Sequence, residues 1–279
     1  MRGSVQLPPM RLLTRLRCLP GLCLPAALAA TPSADMAAAV DGLRRQTSYS
    51  WTVSQADYVG DVQTVEGPQG RFRLRTSRTQ PQVEGSRKAD GFIVTRSTMP
   101  DGPAITVVRN VDGTALAATP DGWLGRGEIV EAVRRHPDET ALFDGARYPR
   151  RIWFLVALIA LTAEPPEKEL SRLLDGATAW RRTPNGEIAG ELSKAAALEV
   201  VTGRPALGTD EENPVVNASV YLDIQHGMLR GYRLEAQGPV MIPRLGVPRR
   251  VQIERTTTFN YSGRSDLQVP EEARRKLAL

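Results

Sequence analysis

Apolar and polar residues alternate along several stretches of this chain with the two-residue period of a half-buried strand. Tyr49, Trp51 and Val53 alternate with polar neighbours. Arg71-Phe72-Arg73-Leu74-Arg75 does so as cleanly, with Phe72 and Leu74 expected to point inward and the arginines to form a solvated face. Strands over 91–99, 104–110 and 114–119 complete an N-terminal meander, its turns marked by Pro100-Asp101-Gly102 and Asp112-Gly113. Val220, Leu222 and Ile224 alternate up to His226-Gly227, and Tyr232, Leu234 and Ala236 alternate on the return. That pattern predicts a hairpin with a primed-type turn. A long last strand puts Val251, Ile253, Arg255, Thr257, Phe259 and Tyr261 on one face, and Gln252, Glu254, Thr256, Thr258 and Asn260 on the other.

Helical spacing takes over elsewhere. Asp35 is placed to cap a helix reaching Gln46, with Met36, Val40 and Leu43 on one stripe. Residues 128–135, 138–144 and 151–163 read as helices in the middle of the chain, and Pro165-Pro166 stops the last of them before another begins over 167–174. Ile152 to Ala163 is strongly apolar, but its 12 residues fall short of the roughly 20 that a membrane span needs. It reads as a buried core helix or, more sharply, as a helix closing an apolar cavity. Residues 179–183 read as a strand, 191–201 as a helix, and Val269-Pro270-Glu271-Glu272 opens a short helix with proline and acids at its positive end. Strands, then a helical insert over about 126–176, then strands again predict an α+β fold. The expected architecture is one strongly curved antiparallel sheet, a half-barrel with helices on its concave side, forming a single domain over 35–279.

The first residues read as an address. Arg2, Arg11, Arg15 and Arg17 precede an apolar run from Cys18 to Leu28, and Ala27-Leu28-Ala29 has the spacing of a cleavage site. We therefore expect a cleaved signal peptide over 1–29, a linker over 30–34, and an exported, periplasmic or secreted protein without a transmembrane segment in its mature chain. Met10 offers a second start, so translation from either Met1 or Met10 is open. Cleavage changes the charge argument. The chain carries 36 basic and 31 acidic residues, and the leader removes four arginines and no acid, leaving a mature excess of one. Nucleic acid is therefore not an expected partner. Both cysteines, Cys18 and Cys23, lie in the leader, so no thiol chemistry and no disulfide is expected in the mature chain.

Candidate chemistry is sparse. The two histidines, His136 at a helix end and His226 before a turn glycine, read as structural, and nothing at metal-ligand spacing accompanies them. Asp210-Glu211-Glu212 reads as a solvated loop. No glycine-rich phosphate loop, dinucleotide fingerprint or Gly-x-Ser-x-Gly elbow occurs. No metal, cofactor or catalytic residue is expected.

Tyr221-Leu222-Asp223, the turn at His226-Gly227 and Gly231-Tyr232-Arg233-Leu234-Glu235 resemble the closing hairpin of the LolA/LppX-like superfamily of periplasmic lipoprotein carriers. Val251 to Tyr261, followed by Asp266-Leu267-Gln268-Val269-Pro270-Glu271-Glu272, resembles that group's last strand and tail. The resemblance implies a half-barrel with an apolar concave face, lidded by helices and able to accept acyl chains. The expected function is a binding protein, not an enzyme, that holds a lipid or lipoprotein acyl chain against Trp51, Phe72, Leu74, Trp153, Phe154, Val156 and Leu158. A non-enzymatic envelope structural, interaction or stress-sensor domain with a protein partner and a filled core is the alternative. A hydrolase without a recognisable motif is the third reading.

Overall fold

The structure, a computed structural model, describes residues 32–59, 64–67, 70–73, 82–98, 102–136, 148–202, 216–242, 247–263 and 265–278. The leader expected over 1–29, the helix expected over 138–144 and the acidic loop 210–212 lie outside the described residues. Helix α1 (Pro32–Arg45) is followed by strands β1 (Tyr49–Val59), β2 (Thr64–Gly67), β3 (Gly70–Arg73), β4 (Gln82–Arg87), β5 (Ile93–Thr98), β6 (Ala104–Arg109), β7 (Ala115–Thr119) and β8 (Gly122–Gly125). Helices α2 (Arg126–Arg135), α3 (Arg150–Thr162) and α4 (Pro166–Gly176) form the middle. Strands β9 (Ala177–Arg182) and β10 (Ile188–Leu192), helix α5 (Lys194–Thr202), strands β11 (Asn217–Gln225), β12 (Met228–Ile242) and β13 (Val247–Asn260), and helix α6 (Glu271–Leu277) complete the chain.

Eleven strands form one antiparallel sheet in the order β8-β7-β6-β5-β4-β1-β13-β12-β11-β10-β9. Its two ends do not meet, and the architecture is the α+β half-barrel that the patterning implies. The register fixes which residues share its inner face. Trp51 lies opposite both Phe259 and Gly85, Val53 opposite Thr257 and Val83, and Thr95 opposite Val107. The predicted division of β13 holds: Ile253, Thr257 and Phe259 are buried while Gln252, Thr258 and Asn260 are exposed. At the β11–β12 turn both His226 and Gly227 have positive φ, 52° and 74°, the conformation a primed turn demands of its two central residues.

Two clusters occupy the inner face. The larger packs α1, α4 and α5 on β1 and β10–β13, with Tyr49, Tyr232, Leu234, Leu170 and Leu173 almost wholly buried. Tyr49 meets Phe259 edge-on at 5.8 Å between ring centroids, and Phe259 meets Tyr232 at 6.1 Å. The second packs α2 and α3 on β6 and β7 through Ile105, Val107, Ala117, Ile129 and Phe154. His136 closes α2 and stacks on Phe154 at 6.1 Å.

Several expectations need correction. Of the six helices among the described residues, five cover the inner face, but α6 lies on the opposite face, where Ala273 and Leu277 pack with Val94 and Val108. Val94 and Val108 point outward because they alternate with inward Ile93 and Val107. The segment 191–201 is not one helix. Ile188–Leu192 is a strand between β9 and β11, and Ser193 separates it from α5 by accepting the Ala196 N–H. Asp35 does not cap α1 but sits in its first turn, 2.7 Å from Arg182. The segment expected over 71–75 contributes β3, which among the described residues pairs with β2 in a separate two-stranded ribbon and not with the main meander. Leu74 and Arg75 lie outside the described residues.

Candidate functional site

The inner face is not uniformly filled. Between β1, β4, β5 and β13 below and α3, α4 and α5 above lies a cavity of about 520 Å³, within the ordinary range for a small-molecule site. Trp51, Val53, Val83, Thr95 and Ser97 line its floor, with Gln55 and Arg255 at one end. Val156, Ile159 and Ala160 from the second half of α3, Ala163 just after it, Pro166 from α4 and Val200 from α5 form the roof and walls. Half of the lining is apolar, and the remainder includes a charged rim of Glu164, Glu169, Arg172, Glu199 and Arg255.

The floor lies low where its residues, Val53, Val83, Thr95 and Ser97, are small, and Trp51 borders it. Gly85 carries no side chain, and the Trp51 indole occupies the space one would need. A Cβ there would stand 2.1 Å from the ring. The indole therefore lies across β4 as part of the cavity wall.

The roof is held at defined points. Arg109 on β6 donates to the Leu161 and Ala163 carbonyls at 2.6 and 2.8 Å, satisfying acceptors that the end of α3 leaves unpaired. Burial lowers the Arg109 pKa, and the nearby Glu164 carboxylate acts in the opposite direction. Pro165 and Pro166 then end one helix and start the next. The first turn of α4 carries Glu167 and Glu169, acids at the helix's positive end. Glu167 accepts from the Tyr49 hydroxyl at 2.6 Å and from Arg87 at 3.1 Å. Glu169 accepts from the Tyr232 hydroxyl at 2.6 Å and from Arg255. These bonds tie α4 to four strands beside the cavity. Burial foremost, and then the facing carboxylates, push both phenol pKa values far above the ordinary tyrosine value.

Arg172 bridges Glu164 at 3.3 Å and Glu199 at 2.6 Å, joining the α3–α4 connection to α5. Each rim carboxylate thus faces a guanidinium. Among the described residues no group of three or more His, Cys, Asp and Glu gathers as a metal site.

The sequence-predicted residues scatter. Trp51 and Val156 line the cavity. Phe154 is fully buried beneath α3, with Trp153 and Leu158 half-buried against the same cluster, away from the cavity lining. Phe72 belongs to β3, and its side chain, like the whole of Leu74, lies outside the described part of the structure. Val53, Val83, Ile159, Ala160 and Val200 line the cavity but were not anticipated. For Val53 a signal existed, since it continues the alternation begun at Tyr49 and Trp51.

No family model matches the chain. No curated protein matches it either. Among solved structures, the lipoprotein LppX of Mycobacterium tuberculosis is similar at 12% identity and a TM-score of 0.37, over 81% of this chain and 93% of that one. At that score the likeness carries no argument about what this chain binds.

Proposed function

We propose that this protein is an exported, non-enzymatic binding protein of the periplasm that holds an acyl chain of a lipid or lipoprotein in the cavity under α3, α4 and α5. The observation that carries this reading is the 520 Å³ space itself, walled by Trp51, Val53, Val83, Val156, Ile159 and Ala160 and reaching the surface at Ile159, which is 61% exposed. Apolar walls favour a hydrocarbon, because burial stabilises it by about 25 cal/mol per Å² of apolar surface. The charged rim at Glu164, Arg172 and Glu199 suits a polar headgroup left at the mouth. A hollow interior favours this reading over an interaction domain with a filled core.

The rim carboxylates give the hydrolase reading one observation of its own. General acid–base work needs a carboxyl group in reach of substrate, whereas Glu164, Glu169 and Glu199 are each engaged by Arg172 or Arg255. Binding without turnover therefore fits the rim better. Equilibrium titration of the purified protein with a fluorescent long-chain acyl probe tests the proposal. Saturable uptake without chemical change of the probe is expected, and linear, non-saturating signal would remove the proposal.

A further inference from the structure

Helix α3 presents a second apolar face, which meets the cavity only at Ile159. Phe154, Val156, Ala157, Ala160 and Leu161 are buried, yet Ile152 and Leu155 are each 40% exposed and Ile159 is 61% exposed. Spacings of three and four residues place these three on one stripe. They make up most of the large exposed apolar side chains among the described residues, the others being Val111 and Met228. Clustering of that kind marks a surface that something covers.

Charge at the same end indicates what covers it. Arg150 and Arg151 open α3, whose first turn holds no acidic residue. Cations at a helix N-terminus oppose its dipole, so helix stability does not account for them. The end of α2 adds Arg134 and Arg135, brought close by the stacking of His136 on Phe154. Local acids offset part of this charge: Asp121 lies 3.4 Å from Arg150 and Glu131 lies 2.6 Å from Arg134. Arginines beside an exposed apolar helical stripe match a bilayer interface with anionic headgroups, where the stripe enters the acyl boundary and the guanidiniums meet phosphates. The stripe also runs into the cavity, since Ile159 belongs to both.

We infer that α3 docks this protein on an anionic lipid surface through Ile152, Leu155 and Ile159, with Arg151, which flanks the stripe, and the exposed Arg134 and Arg135 of α2 supplying the charge contacts. This docking rests on the exposed stripe and not on what the cavity holds, so the two readings can fail separately. The test is co-sedimentation of the full protein with vesicles of phosphatidylcholine alone or mixed with phosphatidylglycerol. Binding is expected to the anionic vesicles, to weaken as salt rises, and to fall about fivefold for each arginine replaced by glutamine. The double variant Ile152→Glu/Leu155→Glu changes exposed positions outside the cavity lining. It is expected to lose at least about tenfold in vesicle binding while keeping its thermal transition and its uptake of a soluble acyl probe. Absence of vesicle binding, or binding indifferent to this variant, would overturn the inference. So would a dimer in sedimentation equilibrium that the same variant dissociates, because a second copy would then be the occupant.

Discussion

Tyr49 and Val53 stand on the same face of the same strand, four residues apart, yet one is sealed in the core and the other borders empty space. Around Tyr49 the inner face is built from large side chains, with Phe259, Tyr232 and Leu234 on neighbouring strands and α1 and α4 packed over them. Around Val53 the facing positions are Val83, Thr257, Thr95 and Ser97. The helices above are anchored to the sheet at fixed points, by Arg109 and by the two glutamates of α4, and do not sink to meet the smaller residues. Side-chain volume on one sheet face thus decides where the half-barrel is solid and where it is hollow.

The largest expected difference between the two regions is in stability. Leu234→Ala in the solid region should cost about 2–5 kcal/mol, because it opens a cavity in a closed core. Val53→Ala should cost less than about 1 kcal/mol, since Val53 already borders a cavity and loses fewer contacts. Urea denaturation of both variants checks this, and equal losses would mean that the floor is as tightly packed as the core.

A smaller effect, about 1–3 kcal/mol, is expected from Gly85→Ala, whose methyl must displace the Trp51 indole. It should come with a shift in tryptophan emission that Leu234→Ala does not share.

The smallest effect depends on pH and belongs to the solid region. Tyr49 and Tyr232 stay protonated in the folded protein well past the ordinary value of 10.0, through burial and then the facing glutamates. Their folded pKa values are raised, so this contribution is intact below pH 10 and lost as pH climbs from there toward the folded values. By pH 10.5 each phenol should cost about 1 kcal/mol of stability. Tyr49→Phe should flatten the alkaline decline relative to the unsubstituted protein, whereas Val53→Ala should leave its slope unchanged.

Much of the fold was legible because alternation reports burial directly. The closing hairpin, the faces of β13, the apolar α3 and the helical middle all follow from periodicity and turn chemistry. Two of the strands that escaped detection share a physical reason. In β4 and β10 an inner-face position is a glycine, Gly85 or Gly190, and the volume is supplied by a tryptophan on another strand, Trp51 or Trp180. A local pattern cannot show an apolar surface lent by a distant residue. The cavity was harder still. An apolar α3 announces a buried helix, but only the register of β1, β4 and β5 tells that its second half, and not Trp153 or Phe154, lies over the small side chains.

The most direct test of the hollow region is to fill it and measure what is lost. Ala160→Phe places a ring into the space between α3 and the floor, and its binding of a fluorescent long-chain acyl probe is compared with that of the unsubstituted protein, with thermal unfolding of both as a control. Saturable binding by the unsubstituted protein, weakened at least about tenfold in a variant that still unfolds cooperatively, is the predicted result. Equal saturable binding by both proteins would place the ligand elsewhere and contradict the account.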